Sequence, residues 1–272
     1  MWMENEKKPI GEYLSLAFGI AWISELAILG MDKLGLLEGA VGNIIMYLII
    51  AAGAGFAPTY AACIVAIRHK KVTGVIDFCK QAFKVADRKR TIITVVSTYV
   101  ILFLMNMSYE TYLSNPWFLF IVFIPIMIVG GGMEETGWRG MLQPALEEKM
   151  NFILATLTTG VIWAIWHLPL FLISKTSQYQ MSYPSFFLFC VTMSFVLANV
   201  YRITQSIFAC ILVHAWSNVL QGMFTRTALE HEISLKVIVV FFSVIMMSII
   251  VHVIGDRRLT CRSNIEEKKA IV

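Results

Sequence analysis

Two adjacent carboxylates and an arginine, Glu134-Glu135-Thr136-Gly137-Trp138-Arg139, follow a stretch from Pro116 to Gly132 that carries no ionisable side chain. An ionisable group near the centre of a membrane helix costs roughly 2.5–3.5 kcal/mol on insertion scales, so such groups mark functional sites in apolar chains. Two histidines stand in equally apolar surroundings further on. His167 ends the run from Val161 to Trp166 and precedes Leu168-Pro169, and His214 lies in Ile211-Leu212-Val213-His214-Ala215-Trp216-Ser217-Asn218. Residues four apart share a helix face, so Glu135 can pair with Arg139 and His214 points the same way as Asn218. Glu134 is turned away from its neighbour by about 100° and is left as the free carboxylate. Trp163, one turn before His167, can wall the site or fix the imidazole.

A carboxylate, two imidazoles and a carboxamide on three helices suit hydrolysis of a carbonyl. The carboxylate deprotonates water, a histidine shares that water, and His and Asn donors hold the developing oxyanion. Gly-x-Ser-x-Gly and His-Glu-x-x-His are both absent, and no Ser or Cys stands beside a base, which disfavours a covalent nucleophile. Two His and one Glu from separate helices are also acceptable zinc donors, and spacing alone leaves the metal open. The five cysteines, Cys63, Cys79, Cys190, Cys210 and Cys261, form no C-x-x-C pair, so neither a disulfide framework nor a cysteine-rich zinc site is indicated. Embedded Glu and His also build proton relays in transporters. Glu25 in the first apolar run keeps that reading open, although the motif groups crowd the second half with no matching repeat. Glu25 itself is expected near the outer interface or in a wet cavity.

The elements that must position these groups are membrane helices. The chain has 272 residues, 58% of them hydrophobic and 15% charged, with a mean hydropathy of +0.71. Soluble domains carry about 25% charged residues, so a soluble protein is disfavoured. The pattern predicts a single all-α polytopic membrane domain over 1–272. Its eight spans fall at 11–30, 41–67, 91–108, 116–147, 152–174, 183–200, 204–223 and 235–255, each able to cross the ~30 Å hydrocarbon core. The fourth is too long for a simple span, and Pro125 and Gly130-Gly131-Gly132 interrupt it, so the carboxylate pair should begin a new stretch after the glycines. Pro58 and the small residues 51–55 read as close helix packing. Most of the 22 Lys and Arg fall on one side if both termini are cytoplasmic. The basic 69–90 loop lacks interleaved aromatics, so it reads as a connector against anionic lipid and no nucleic acid is expected.

These residues resemble the CAAX-protease and bacteriocin-processing (CPBP, or Abi) family of intramembrane endopeptidases. Its Glu-Glu-x-x-x-Arg motif stands as Glu134 to Arg139, followed by Gly140 and Pro144. The usual Phe-x-x-x-His is Trp163-Ala164-Ile165-Trp166-His167 here, with the aromatic exchanged. His-x-x-x-Asn stands as His214 to Asn218. The resemblance covers about 116–222 and implies an eight-helix fold with a catalytic cavity inside the membrane. There Glu134 and His167 would activate water, His214 and Asn218 would hold the oxyanion, and Glu135 and Arg139 would support them. The family has been described both as metalloproteases and as glutamate-dependent proteases; a zinc ion, where one is held, would take Glu134, His167 and His214. Eukaryotic relatives trim prenylated CAAX proteins, and bacterial ones are associated with peptide maturation or bacteriocin self-immunity. The resemblance implies a bacterial plasma-membrane protein that contacts lipid and cleaves a membrane-associated peptide or protein. A catalytically silent immunity or scaffold protein is the competing reading within the family.

Overall fold

The computed structural model describes residues 10–107, 111–226, 235 and 238–253. The basic residues Lys7 and Lys8 and the tail from Arg257 onward, which support the expected sidedness, lie outside the described residues. The molecule is an all-α integral membrane protein. Six helices are long and apolar enough to cross a bilayer: α1 (Ile10–Lys33), α2 (Gly39–Arg68), α4 (Arg88–Met107), α5 (Leu119–Glu147), α6 (Phe152–Leu172) and α7 (Tyr183–Thr204). Two further apolar helices, α8 (Ile207–Met223) and α9 (Ile238–Val253), are shorter. At 1.5 Å per residue α8 rises only about 25 Å, less than the hydrocarbon thickness. The basic connector carries a short helix, α3 (Val75–Ala82), which buries Phe78 and Ala82. A feature absent from the sequence reading is a two-stranded antiparallel ribbon, β1 (Thr111–Leu113) with β2 (Phe224–Arg226), which ties the end of α8 to the segment before α5.

Small residues let the first helices approach closely, as interfaces in lipid require. Tyr13, Ala17 and Ala21 of α1 recur at four-residue intervals and join Ala57, Ala61 and Ala62 of α2 in the main core. The run Ile50–Gly55 forms a π-turn, after which Pro58 opens the second half of α2 without loss of a helical hydrogen bond. Asn151 caps α6 through Leu154 N–H at 3.0 Å, and Ser206 caps α8 through Ala209 N–H at 3.3 Å. α9 reaches the start of α6, where His252 stacks on Phe152 with ring centroids 4.1 Å apart.

The interruption in α5 decides the site. The helix runs regularly through Pro125 to Gly130, so the proline does not break it. The break comes at Gly131, whose extended backbone (φ −165°) starts a tight turn over Gly132–Glu134. Glu135 then opens the helical stretch that carries Arg139. The glycines are needed for space: a Cβ on Gly132 would lie 2.7 Å from the Ile211 carbonyl oxygen of α8.

Candidate active site

The turn after Gly131 sends the two carboxylates to different partners, as their 100° separation requires. Glu135 is fully buried and joins two helices. Its oxygens lie 3.2 and 3.1 Å from Arg139 Nη1, and its Oε1 accepts the Nδ1–H of His214 at 2.8 Å. The pairing with Arg139 follows the four-residue spacing; the bond to His214, 79 residues away, does not. Arg139 is fully buried as well. It donates through Nη2 to the Ser194 carbonyl (3.2 Å) and hydroxyl (3.1 Å) of α7 and lies 5.7 Å from the centre of the Trp163 ring. A buried guanidinium left without such partners would be strongly destabilising.

Glu134 is not the free carboxylate expected from the sequence. Its Oε2 accepts two indole N–H groups, from Trp138 at 3.2 Å and Trp163 at 3.0 Å. The two donors hold one oxygen and leave Oε1 as the basic edge, while the side chain stays 5% exposed. Trp138 was a mere spacer in the motif, and its role depends on a ring that crosses back one turn.

Trp163 connects the acid to both imidazoles. Besides its bond to Glu134, its carbonyl accepts the Nδ1–H of His167 at 2.9 Å, and its ring meets His214 edge-on at 5.1 Å. It does not stack on His167, whose ring is tilted by 58°. Because a carbonyl can only accept, His167 must carry its proton on Nδ1, which leaves Nε2 with a lone pair. The rings of Trp166 and Phe186 enclose it at 4.6 and 5.0 Å.

His214 and Asn218 come together around Gly131. A Cβ built there would meet Asn218 Nδ2 and would lie 3.8 Å from His214 Nε2. Both nitrogens therefore flank one point beside the break in α5. Nδ1 donates to Glu135, so Nε2 donates a hydrogen bond when it too carries a proton. Such a pair of donors is a competent oxyanion site.

Glu134, His167, His214 and Asn218 thus converge, but in a close-packed cluster. A cavity of about 360 Å³ lies beside it between α4, α7, α8 and α9, with Leu102, Phe186, Phe189, Met193, Ser217 and Leu220 in its wall. Phe186 borders both this space and His167, and Ser217 precedes Asn218. None of the four motif groups lines this cavity. Among the described residues, no three His, Cys, Asp or Glu side chains are grouped so as to hold a metal ion. Glu134, His167 and His214 each have one donor atom held by protein and another left over.

Other contacts were not legible in the sequence. The hydroxyls of Thr59 in α2 and Thr136 both donate to the Met133 carbonyl at 2.8 Å, pinning the motif turn to α2. Tyr13 and Pro58 close over Gly137 so tightly that no Cβ fits. Glu25, expected near the outer interface or in a wet cavity, is completely buried.

Residues 115–220 match the family model described as Rce1-like, type II CAAX prenyl endopeptidase, which is a protease family. The resemblance carried by the three motifs is borne out. Among similar proteins, CAAX prenyl protease 2 of Methanococcus maripaludis is 26% identical over 115 residues, 39% of this chain and 42% of that protein. Lysostaphin resistance protein A of Staphylococcus haemolyticus is 24% identical over 197 residues, 67% of this chain and 51% of that protein. The chain thus spans about half or less of the length of these relatives.

Proposed function

We propose that this protein is an intramembrane endopeptidase that cleaves a membrane-associated peptide or protein by water activated at Glu134. The observation that carries the reading is the arrangement of Glu134, with one oxygen held by two indoles and the other unclaimed, beside the paired nitrogens of His214 and Asn218. The chemistry follows from these positions. Glu134 Oε1 takes a proton from water, with the Nε2 lone pair of His167 as second acceptor, and the hydroxide adds to the scissile carbonyl. His214 Nε2 and Asn218 Nδ2 donate to the oxyanion. The proton then passes to the leaving amine as the C–N bond breaks. Glu135 holds the His214 ring, and Arg139 with Ser194 holds Glu135.

No step of this scheme needs a metal, and the donor geometry supports the glutamate-type reading over a zinc enzyme. The neighbouring 360 Å³ cavity is of ordinary ligand-site size and supports binding of an apolar part of the substrate. Peptide maturation or self-immunity is the biological setting we propose, and the similarity to a protein named for lysostaphin resistance supports the second of these. The deciding experiment uses purified protein in lipid nanodiscs with peptide libraries and mass spectrometry. The native protein cleaves, and Glu134→Gln, which keeps shape but loses the base, leaves no detectable turnover with its melting temperature maintained. Absence of cleavage by the native protein would leave a silent scaffold as the correct reading, and equal cleavage by both proteins would remove Glu134 from the chemistry.

A further inference from the structure

Contacts between helix ends define the two faces of the membrane domain. At one face Glu12, near the start of α1, pairs with Arg68 at 2.7 Å and His69 at 3.0 Å, where α2 ends. There also the Lys84 carbonyl of the basic connector accepts the Ser206 hydroxyl before α8 at 3.1 Å. Arg202, near the end of α7, lies over Phe152 at the start of α6. At the other face Ser174, after α6, donates to Asp32 near the end of α1 at 2.7 Å. Ser114, before α5, donates to the Met223 carbonyl that ends α8 at 3.1 Å. Charge separates these faces. The first carries the eight Lys and Arg from Arg68 to Arg90, together with Lys149 and Arg202, whereas the described part of the second has Lys33, Lys175 and Arg226. Segments rich in Lys and Arg stay in the cytoplasm, which makes the second face the outer one.

The cavity beside the motif cluster opens at that second face. The exposed residues of its wall are Ser114, Ser177, Gln180 and Gly222. They belong to the segments before α5, between α6 and α7, and at the end of α8. From this mouth the wall continues along α7 through Phe186 and Phe189 to Thr192 and Val196. Phe186 meets the His167 ring at 5.0 Å, so the space runs from the outer face to the edge of the cluster. The site leans the same way, since Asn218 stands five residues from Met223 and eleven from Ile207, the two ends of α8. No Asp, Glu, Lys or Arg contributes to the wall among the described residues, and its polar side chains are Ser, Thr, Asn and Gln. A charge brought into such a space finds no partner and is strongly disfavoured.

We propose that the site is loaded from the outer face of the membrane, and that its substrate is an uncharged peptide segment displayed there by a translocated or membrane-anchored protein. The inference rests on the hydrolytic reading for the peptide, while the direction of entry rests on the faces and the cavity alone. The polar mouth hydrogen-bonds the peptide backbone, and the apolar wall along α7 takes its side chains towards His167. A tail displayed in the cytoplasm meets the basic face instead, where no residue of the cavity wall stands.

Thiol accessibility reads the direction of entry without proteolysis. In the full chain with Cys63, Cys79 and Cys261 changed to serine, Ser177→Cys marks the mouth, Thr192→Cys the inner wall and Lys84→Cys the connector. A membrane-impermeant maleimide added to intact spheroplasts labels the first two and spares the third. In inverted vesicles it labels Lys84→Cys alone. Labelling of Ser177→Cys or Thr192→Cys only in inverted vesicles overturns the sidedness. Labelling of Thr192→Cys from neither side means that lipid fills the cavity, and overturns the route. For the substrate, a peptide cleaved in nanodiscs is fused to single-span anchors that hold it on one side of the membrane or the other. The outward-facing fusion is cut and the inward-facing one is spared, and a lysine or aspartate placed in the apolar part of the peptide abolishes the cut. The reverse preference, or indifference to charge, overturns the substrate class. Outward labelling with no cleavage of any peptide would retain the direction of entry and remove the protease reading.

Discussion

Gly131 offers a test of the oxyanion site that separates chemistry from folding. Its φ of −165° lies outside the left-handed region that favours glycine, so the test turns on the space around a Cβ. The new Cβ would collide with Asn218 Nδ2 and lie 3.8 Å from His214 Nε2. Carbon contacts settle near 3.5–4.0 Å, so the carboxamide must retreat by about 1 Å. It is the free end of a partly exposed side chain, and it can move without shifting a helix. The stability cost of Gly131→Ala is accordingly within about 1 kcal/mol. The catalytic cost is larger, because a 1 Å misplacement of a group aligned with the transition state is worth about a hundredfold, or about 2.7 kcal/mol. Peptide cleavage in nanodiscs should show kcat reduced about a hundredfold with KM within about twofold, as for a contact made mainly in the transition state. Gly132→Ala is the control, since its Cβ meets the Ile211 backbone carbonyl at 2.7 Å and can be relieved only by moving α5 from α8. It should lower the melting temperature more than Gly131→Ala does. A Gly131→Ala protein with native kcat would refute the placement of the oxyanion between His214 and Asn218.

Glu135→Gln removes the shared partner of Arg139 and His214, so it should cost about 3–5 kcal/mol of stability for the broken buried pair and should also lower kcat; a fall in melting temperature with native kcat would mean that the His214 bond has no catalytic use. Trp163→Phe keeps the ring but deletes the N–H on Glu134 Oε2, a bond to a charged acceptor worth roughly 1.5–3 kcal/mol, and the cleavage rate should fall by about ten- to a hundredfold with the fold intact by circular dichroism. Gly137→Ala sets a Cβ against the Tyr13 hydroxyl and 2.7 Å from the Pro58 carbonyl, so it should fail to accumulate as folded protein in detergent, measured by size-exclusion chromatography. Dialysis against a chelator, followed by elemental analysis, should leave cleavage unchanged; activity lost with zinc and recovered stoichiometrically on its return would require the cluster to rearrange around a metal.

The chemistry-bearing residues were legible in the sequence because hydrocarbon makes each of them costly. Glu134, Glu135, Arg139, His167 and His214 stand out by type alone against runs of apolar side chains. Helical spacing was enough to pair Glu135 with Arg139 and to align His214 with Asn218, since both relations lie within one turn. The helix segments were legible for the same reason, as each must satisfy its own backbone in lipid. Relations between distant helices were not. No periodicity links Glu135 to His214, Arg139 to Ser194 or Trp163 to Glu134, because these depend on how α5, α6, α7 and α8 cross. Trp138 and Trp163 look like ordinary apolar filling until packing turns their single N–H groups onto one carboxylate oxygen. Glu25 could be singled out as an anomaly, but its complete burial is decided by helix packing. Composition and local period determine which groups must avoid lipid; the tertiary structure decides which of them meet, because in hydrocarbon a polar side chain takes the partner that helix crossing presents.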